Sequence, residues 1–278
     1  MGIVQNRDDE FQRLRNAQIY DLTQPYIVDK TPIVDRVALW LSQHQRFPNI
    51  LELGCGTGLF AEPLLSQLND FSYIGIDRSA EMIQLFREKT RGTTLHDRVE
   101  LISGVDLRDA SAYDAICRMN CSVMISSQFL QYIPFLSCRE ASPTELDKER
   151  FLHLCKRIIP KDGVLFLFEE ILGEDDQETA RFGRMWDDYV INHYRMHPEL
   201  LEKIEAIDPN FVRAFRRSIE NPDLMALIRQ RRRSARGEMP ASLSVHESLF
   251  ASAGFSAEAE KHPELDNFVL FQLTPVVL

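Results

Sequence analysis

The chain has no long apolar run. Its longest purely apolar stretches, such as residues 164–168, are far too short to span a bilayer, which takes about 20 residues as a helix. The first ten residues are polar, carry three acidic side chains and hold no apolar segment, so they do not read as a secretory signal. Cysteine is sparse and odd in number: Cys55, Cys117, Cys121, Cys138 and Cys155 among 278 residues. That count and spacing suggest free thiols in a reducing compartment, hence a cytoplasmic protein, rather than a disulfide framework. Positive charge is in deficit, with 32 Lys and Arg against 42 Asp and Glu and a net charge of −10. A chain of that sign is repelled by nucleic acid and by anionic membranes unless a local basic patch intervenes. Internal repeats and low-complexity tracts are also missing. What is present is ample apolar material, 44% of residues, enough for a sizeable core.

The apolar spacing lays out an alternation of strands and helices. Residues 1–47 read as helical, broken at Pro25 and Pro32. A short strand at 50–53 runs into Gly54-Cys55-Gly56-Thr57-Gly58, and a helix follows at 59–68. A second strand at 73–76 ends in Asp77, and Ser79 or Asp77 caps a helix reaching Lys89. Strands are expected at 99–103, 121–126 and 164–168, with helices at 110–119 and 144–159 between them. From Gly173 to Pro240 the pattern is charged and helical with no strand, and a helix at 244–253 and strands at 255–260 and 267–273 close the chain. Alternation of this kind predicts a doubly wound α/β fold with a mostly parallel sheet covered by helices on both faces. The chain divides accordingly into an N-terminal helical cap segment (1–47), a ligand-binding core (48–172), a helical insertion (173–242) and a closing helix and strand hairpin (243–278).

The glycine loop carries the first functional signal. Glycine tolerates positive φ and lets a ligand approach the backbone, and the start of a helix attracts an anionic group. Asp77 follows Gly58 at the end of the next strand, where a carboxylate can accept both hydroxyls of a ribose. The spacing is G-x-G-x-G, whereas dinucleotide enzymes carry G-x-G-x-x-G. Glu52, two residues before the first glycine, would sit badly against a pyrophosphate but suits the ammonium and sulfonium of S-adenosylmethionine (SAM). Both features disfavour a nicotinamide oxidoreductase.

Residues 51–58, Leu-Glu-Leu-Gly-Cys-Gly-Thr-Gly, together with Ile74-Gly75-Ile76-Asp77-Arg78-Ser79, resemble the first two motifs of the class I SAM-dependent methyltransferases of small-molecule type. Ser103-Gly104-Val105-Asp106-Leu107 resembles that family's adenine-binding turn, and residues 123–132 the strand and helix lining its methyl-transfer site. Ile159-Pro160-Lys161-Asp162-Gly163 resembles its Pro-Gly-Gly turn, with Lys161 and Asp162 as departures. The resemblance covers about residues 15–172 and 243–275. It implies a seven-stranded Rossmann-like sheet and a methyltransferase that converts SAM to S-adenosylhomocysteine (SAH). By the same resemblance Gly54, Gly56 and Gly58 approach the methionine part, Glu52 places its amino group, and Asp77 binds the ribose. Arg78 and Met82 flank the adenine, Asp106 accepts from its amino group with the Leu107 backbone in support, Ser127 and Gln128 stand near the sulfonium, and Tyr20 lies over the SAM carboxylate.

The insertion after the fifth strand should stand over the cofactor and shape the acceptor pocket. Trp186, Tyr189 and His193 share one helical face there. An acceptor hydroxyl or protonated nitrogen benefits from a base, and His193, then His197, is the candidate; Trp186, Tyr189 and His197 are candidate acceptor contacts. His193 and His197 are spaced as a metal pair, but no third ligand has matching spacing and Pro198 interrupts the helix, so no metal is expected. The run Arg229, Arg231, Arg232, Arg233 and Arg236 reads as a solvated face, with an anionic substrate group or RNA as the other readings. Ser126-Ser127-Gln128-Phe129 stands where many nucleic-acid and glutamine amino-methylases carry N-P-P-Y. The expected partner is therefore a small-molecule acceptor methylated at O or N, with secondary metabolism as the expected setting. RNA or protein methylation, or SAM binding without methylation, are the alternatives, and the oligomeric state is left open.

Overall fold

A computed structural model describes residues 14–109, 111–119, 121–133, 147–221, 224, 226 and 240–276. Seven strands form one sheet in the order β3-β2-β1-β4-β5-β7-β6. They are β1 (Asn49–Leu53), β2 (Ser72–Asp77), β3 (Val99–Ser103), β4 (Val123–Ser127), β5 (Val164–Glu170), β6 (Phe255–Lys261) and β7 (Phe268–Pro275). The first five are parallel, and β7 runs antiparallel to both its neighbours, β5 and β6. The fold is the doubly wound, Rossmann-like one that the alternation predicts.

Period-two alternation divides the strand side chains between two cores. Leu51, Leu53, Met124, Leu165 and Leu167 belong to one cluster, while Ile50, Ile125, Phe166 and Phe168 belong to the other. The helices α1 (Leu14–Ile27) and α2 (Thr31–His44) precede β1, and α3 (Ala61–Leu65), α4 (Ala80–Thr90), α5 (Ala112–Ile116) and α6 (Lys148–Ile158) connect the first five strands. The helix α2 presses Ile33, Val34, Val37, Ala38 and Leu41 into the second cluster. Glu52 shares the strand parity of Ile50 and so points toward that same face. Because both sheet faces are covered, β4 and β5 read as nearly continuous apolar runs, as buried parallel strands do.

Three successive helices, α7 (Asp176–Met196), α8 (Pro198–Ile207) and α9 (Pro209–Ile219), follow β5. Each junction places a proline in the first turn, where its missing N–H costs no helical bond. Ile19 of α1 joins Val190, Ile191, Tyr194, Leu200, Leu201, Ile204 and Val212 in a third cluster, so α1 and the insertion pack as one cap. A last helix, α10 (Leu243–Ser252), ends at Gly254, whose φ is 79°.

Several boundaries differ from the sequence reading. Pro25 does not break the first helix; α1 runs on to Ile27 despite the one backbone hydrogen bond that Pro25 cannot donate. The break falls at Val28–Lys30, just ahead of Pro32 in the first turn of α2. The helix expected at 59–68 shrinks to Ala61–Leu65, and its end tightens into three-residue turns from Gln67 to Leu64 and from Leu68 to Leu65. The strand expected at 121–126 is displaced to Val123–Ser127, and that at 164–168 extends to Glu170. The expected helical start at 144, Cys138 and the arginine run 229–236 lie outside the described residues. Among the described residues, no helix is long and apolar enough to cross a membrane.

Candidate active site

The strand order reverses between β1 and β4, which opens a crevice beyond their carboxyl ends. The glycine loop occupies it. Gly54 and Cys55 donate their N–H groups to the Ile76 carbonyl at 2.8 and 3.1 Å, which pins the loop to the end of β2. Gly54, Gly56 and Gly58 all have positive φ, at 73°, 56° and 79°, a region that β-carbons make costly. The latter two glycines are needed for different reasons. A Cβ on Gly58 would lie 2.5 Å from the Phe86 ring, so this residue lets the loop pack on α4. A Cβ on Gly56 would meet nothing within 4 Å, so its open face is where a ligand can come close. The short α3 begins only at Ala61, so the loop's own N–H groups, rather than a long helix dipole, define the cradle.

Asp77 ties this loop to the next helix. Its Oδ2 accepts from the Gly56 N–H at 2.9 Å and its Oδ1 from the Ser79 N–H at 2.8 Å. Burial pushes the Asp77 carboxyl up, while these two N–H bonds and the Arg78 guanidinium pull it down. Ser79 is the N-cap of α4, accepting from the Met82 N–H at 3.1 Å, so of the two expected caps it is the serine that bonds into the helix. Met82 is buried beside Phe86 in the same helix. Asp106 is gripped by Arg108 through Nε at 2.9 Å and Nη2 at 2.6 Å, with Arg78 3.8 Å away. Burial raises its carboxyl, but these cations outweigh that and hold it below the usual range. The Leu107 carbonyl accepts from the Tyr113 hydroxyl at 3.0 Å, which anchors the turn from below. The sequence reading did not single out Arg108.

Glu52 is almost fully enclosed, at 1% exposure, and accepts from the Tyr73 hydroxyl at 2.7 Å. Burial pushes it up to about 7, against the Tyr73 hydrogen bond and the Lys30 charge. Lys30 is a further residue that sequence reasoning missed. It precedes α2, is 9% exposed, and its Nζ donates to the Ser127 hydroxyl at 3.0 Å. The two residues lie 97 positions apart, so no local motif announces the pair.

The turn after β4 is tightly determined. Gln128 has φ 59°, the one positive value among described non-glycine residues, and its N–H donates to the Phe168 carbonyl at 2.6 Å. Glu169 accepts from the N–H groups of Phe129 and Leu130 at 3.0 and 2.9 Å, and Lys148 donates to the Leu130 carbonyl. Burial pushes Glu169 up and Lys148 down, while each charge favours the other. Such over-determination is what holds a non-glycine residue in a strained conformation.

On α7, Trp186 and Tyr189 pack against both the second core cluster and the cap cluster, so they straddle the seam between cap and sheet. The buried Trp186 Nε1 has no hydrogen-bond partner. His193 stacks between Tyr189 and His197, with ring centroids 5.8 and 4.7 Å apart. Burial and then His197 hold the His193 imidazole below its usual pKa, against the attraction of Asp29 and Glu264. His197 sits instead at the α7–α8 junction, with Nδ1 3.1 Å from a Glu199 oxygen. Tyr20 is half-buried on α1.

Residues 50–133 match the family model described as a methyltransferase domain. A curated relative, the malonyl-[acyl-carrier protein] O-methyltransferase 2 of Ilyobacter polytropus, is 29% identical over 75 residues, 27% of this chain and 28% of that protein. The matched stretch thus spans under a third of the relative's length. Among solved structures, an O-methyltransferase family protein from Burkholderia thailandensis superposes with a TM-score of 0.60 at 13% identity, over 97% of this chain and 63% of that one. PigF with SAH gives 0.58 at 14% identity, over 99% and 64%. At this level of identity the structural likeness speaks for the fold. The stretch matched by the methyltransferase-domain model, residues 50–133, contains the glycine loop, Asp77 and Asp106.

Proposed function

We propose that the protein is a SAM-dependent methyltransferase that acts on an O or N atom of a small-molecule acceptor. One observation carries the reading: Asp77 is joined to the Gly56 N–H at 2.9 Å, so the carboxylate suited to a ribose and the open backbone suited to the methionine part form one rigid cradle. The unfilled space above Gly56 and the unpartnered, buried Thr57 hydroxyl fit a ligand at the loop. Arg78, Met82, Asp106 and Leu107 would hold the adenine end, and Tyr20, Ser127 and Gln128 the methionine end. SAM, when bound, supplies an electrophilic methyl group on its sulfonium and leaves as SAH.

The chain's own residues do the rest. The cap packed over the seam excludes water and presents the Trp186–Tyr189–His193 face to an acceptor. Burial and the neighbouring His197 favour the neutral form of His193, the form that a base removing an acceptor proton must have. O-methyltransferases stand among the similar proteins, which supports an oxygen acceptor. The same proposal assigns the insertion, residues 173–242, to the acceptor and the core, residues 48–172, to the donor, in a protein of the cytoplasm with no nucleic-acid partner.

Calorimetric titration of SAM, with NADH as a control, tests the reading. Wild type should bind SAM with a Kd near the micromolar range and ignore NADH, and Asp77→Ala should lose about tenfold or more in affinity. NADH binding without SAM binding would overturn it.

A further inference from the structure

Lys30 is held in place from three directions. Its carbonyl accepts the first N–H bonds of α2, from Ile33 and Val34. The neighbouring Asp29 side chain accepts from the Thr31 N–H at 2.9 Å. The Asp29 carbonyl lies 2.6 Å from His262 Nε2, and His262 Nδ1 accepts from the Glu264 N–H, so Nε2 carries the proton and donates. A latch from the β6–β7 connection thus clamps the segment that delivers Lys30.

The ammonium so delivered is under-used. It has three N–H donors, and the described one goes to Ser127. Among the described residues no carboxylate lies within the 4.0 Å of an ion pair with Nζ. Glu52 and Glu169 attract it from further away, but Glu52 is bonded to Tyr73, and Glu169 is committed to the 129–130 backbone. Burying an ammonium without an ion-pair partner is costly, and a structural lysine would be expected to have one. Burial pulls Lys30 down to about 8. Its hydrogen-bond partner, Ser127, is half-buried at the open end of β4, next to the strained Gln128.

We propose that Lys30, with Ser127, is an anion-binding pair of the ligand site, its spare donors reserved for an ionised oxygen of a bound molecule. Two molecules carry that chemistry to this place: the donor, through the carboxylate of its amino-acid end, and an acceptor with an acidic hydroxyl or carboxyl group. The inference rests on the reading of the crevice as a SAM site. It adds that the cap side of the crevice recognises negative charge through a residue outside every motif of the methyltransferase domain.

The test compares ligands that do and do not carry the anion. Wild type, Lys30→Met, Lys30→Arg and Ser127→Ala are titrated with SAH, with 5′-methylthioadenosine, which lacks the amino-acid end, and with benzoate in the presence of SAH. If the donor carboxylate is the occupant, Lys30→Met weakens SAH by about tenfold or more, leaves 5′-methylthioadenosine within about twofold, and Lys30→Arg recovers part of the loss. If the acceptor is the occupant, both nucleosides are unaffected, and benzoate binds wild type but not Lys30→Met. Equal weakening of SAH and 5′-methylthioadenosine overturns the proposal, since Lys30 would then shape the pocket rather than meet an anion. So does unchanged SAH affinity with no difference in benzoate binding. A wild type that binds neither nucleoside fails on the methyltransferase reading itself. Melting curves of the variants separate loss of fold from loss of contact.

Discussion

The two walls of the crevice are built by different means. The wall beyond β1 and β2 is made of main chain: three glycines at positive φ, pinned by the Ile76 carbonyl and by Asp77 21 residues from Gly56. The opposite wall is made of side chains from distant segments: Lys30 against Ser127, and His262 latched to Asp29 across 233 positions. A main-chain cradle depends on local conformation and tolerates little change. A wall of converging side chains can be altered one residue at a time, which is how one sheet serves many acceptors.

The largest break in that contrast should come from the glycines. Gly58→Ala forces a β-carbon into the Phe86 ring at a φ of 79° and should cost about 4 kcal/mol, read from urea denaturation. Gly56→Ala has the same backbone penalty but no clash, so it should cost only about 1 kcal/mol while SAM affinity falls further than stability does. Equal stability losses in the two variants would contradict the distinction between a packing glycine and a ligand-facing one.

The cap should fail separately. Ile204 is fully buried in the small cluster that joins α1 to the insertion. Ile204→Ala should remove about 3 kcal/mol. If the walls are independent, hydrogen exchange should show the loosening in α7–α9 first, with SAH affinity within about twofold of wild type. A matching loss of SAH affinity would mean that the cap helps to build the donor site.

The smallest effect sharpens the role of Glu52. Its pKa is raised from 4.5 to about 7, so the folded state retains a proton that the unfolded chain releases. The stability from this group is complete below about pH 4.5 and is lost as pH rises through about 7. Glu52→Gln removes that slope, so its stability relative to wild type should improve between pH 5 and pH 7.5. Parallel profiles for the two proteins would show that Glu52 titrates normally.

Much of the glycine-loop wall was legible because its signals are local. Glycine at three alternate positions, a serine able to cap α4, and β-branched and apolar runs at 99–103 announce their conformations wherever they occur. Local signals failed where distant atoms decided the outcome. The helix at 59–68 was cut short by turns that the apolar spacing does not encode, and Pro25 was absorbed into the last turn of α1. Glu169 and Lys148 look like ordinary charges at a strand end and a helix start, yet they fix the turn that carries Gln128. Arg108 was within reach of a local reading, being two residues from the aspartate it grips.

By itself the sequence determined the alternating α/β plan, the conformation of residues 54–58 and the placing of Asp77 at a strand end, because backbone sterics, capping and period-two burial act over a few residues. Only the tertiary structure decided that Glu52 faces Tyr73, that Lys30 reaches Ser127, and that Trp186 and Tyr189 straddle two cores. Those contacts depend on how α1, α2 and α7 settle on the sheet. Burial then sets the charges, since the same carboxyl or ammonium titrates normally in water and is displaced once the packing removes its solvent.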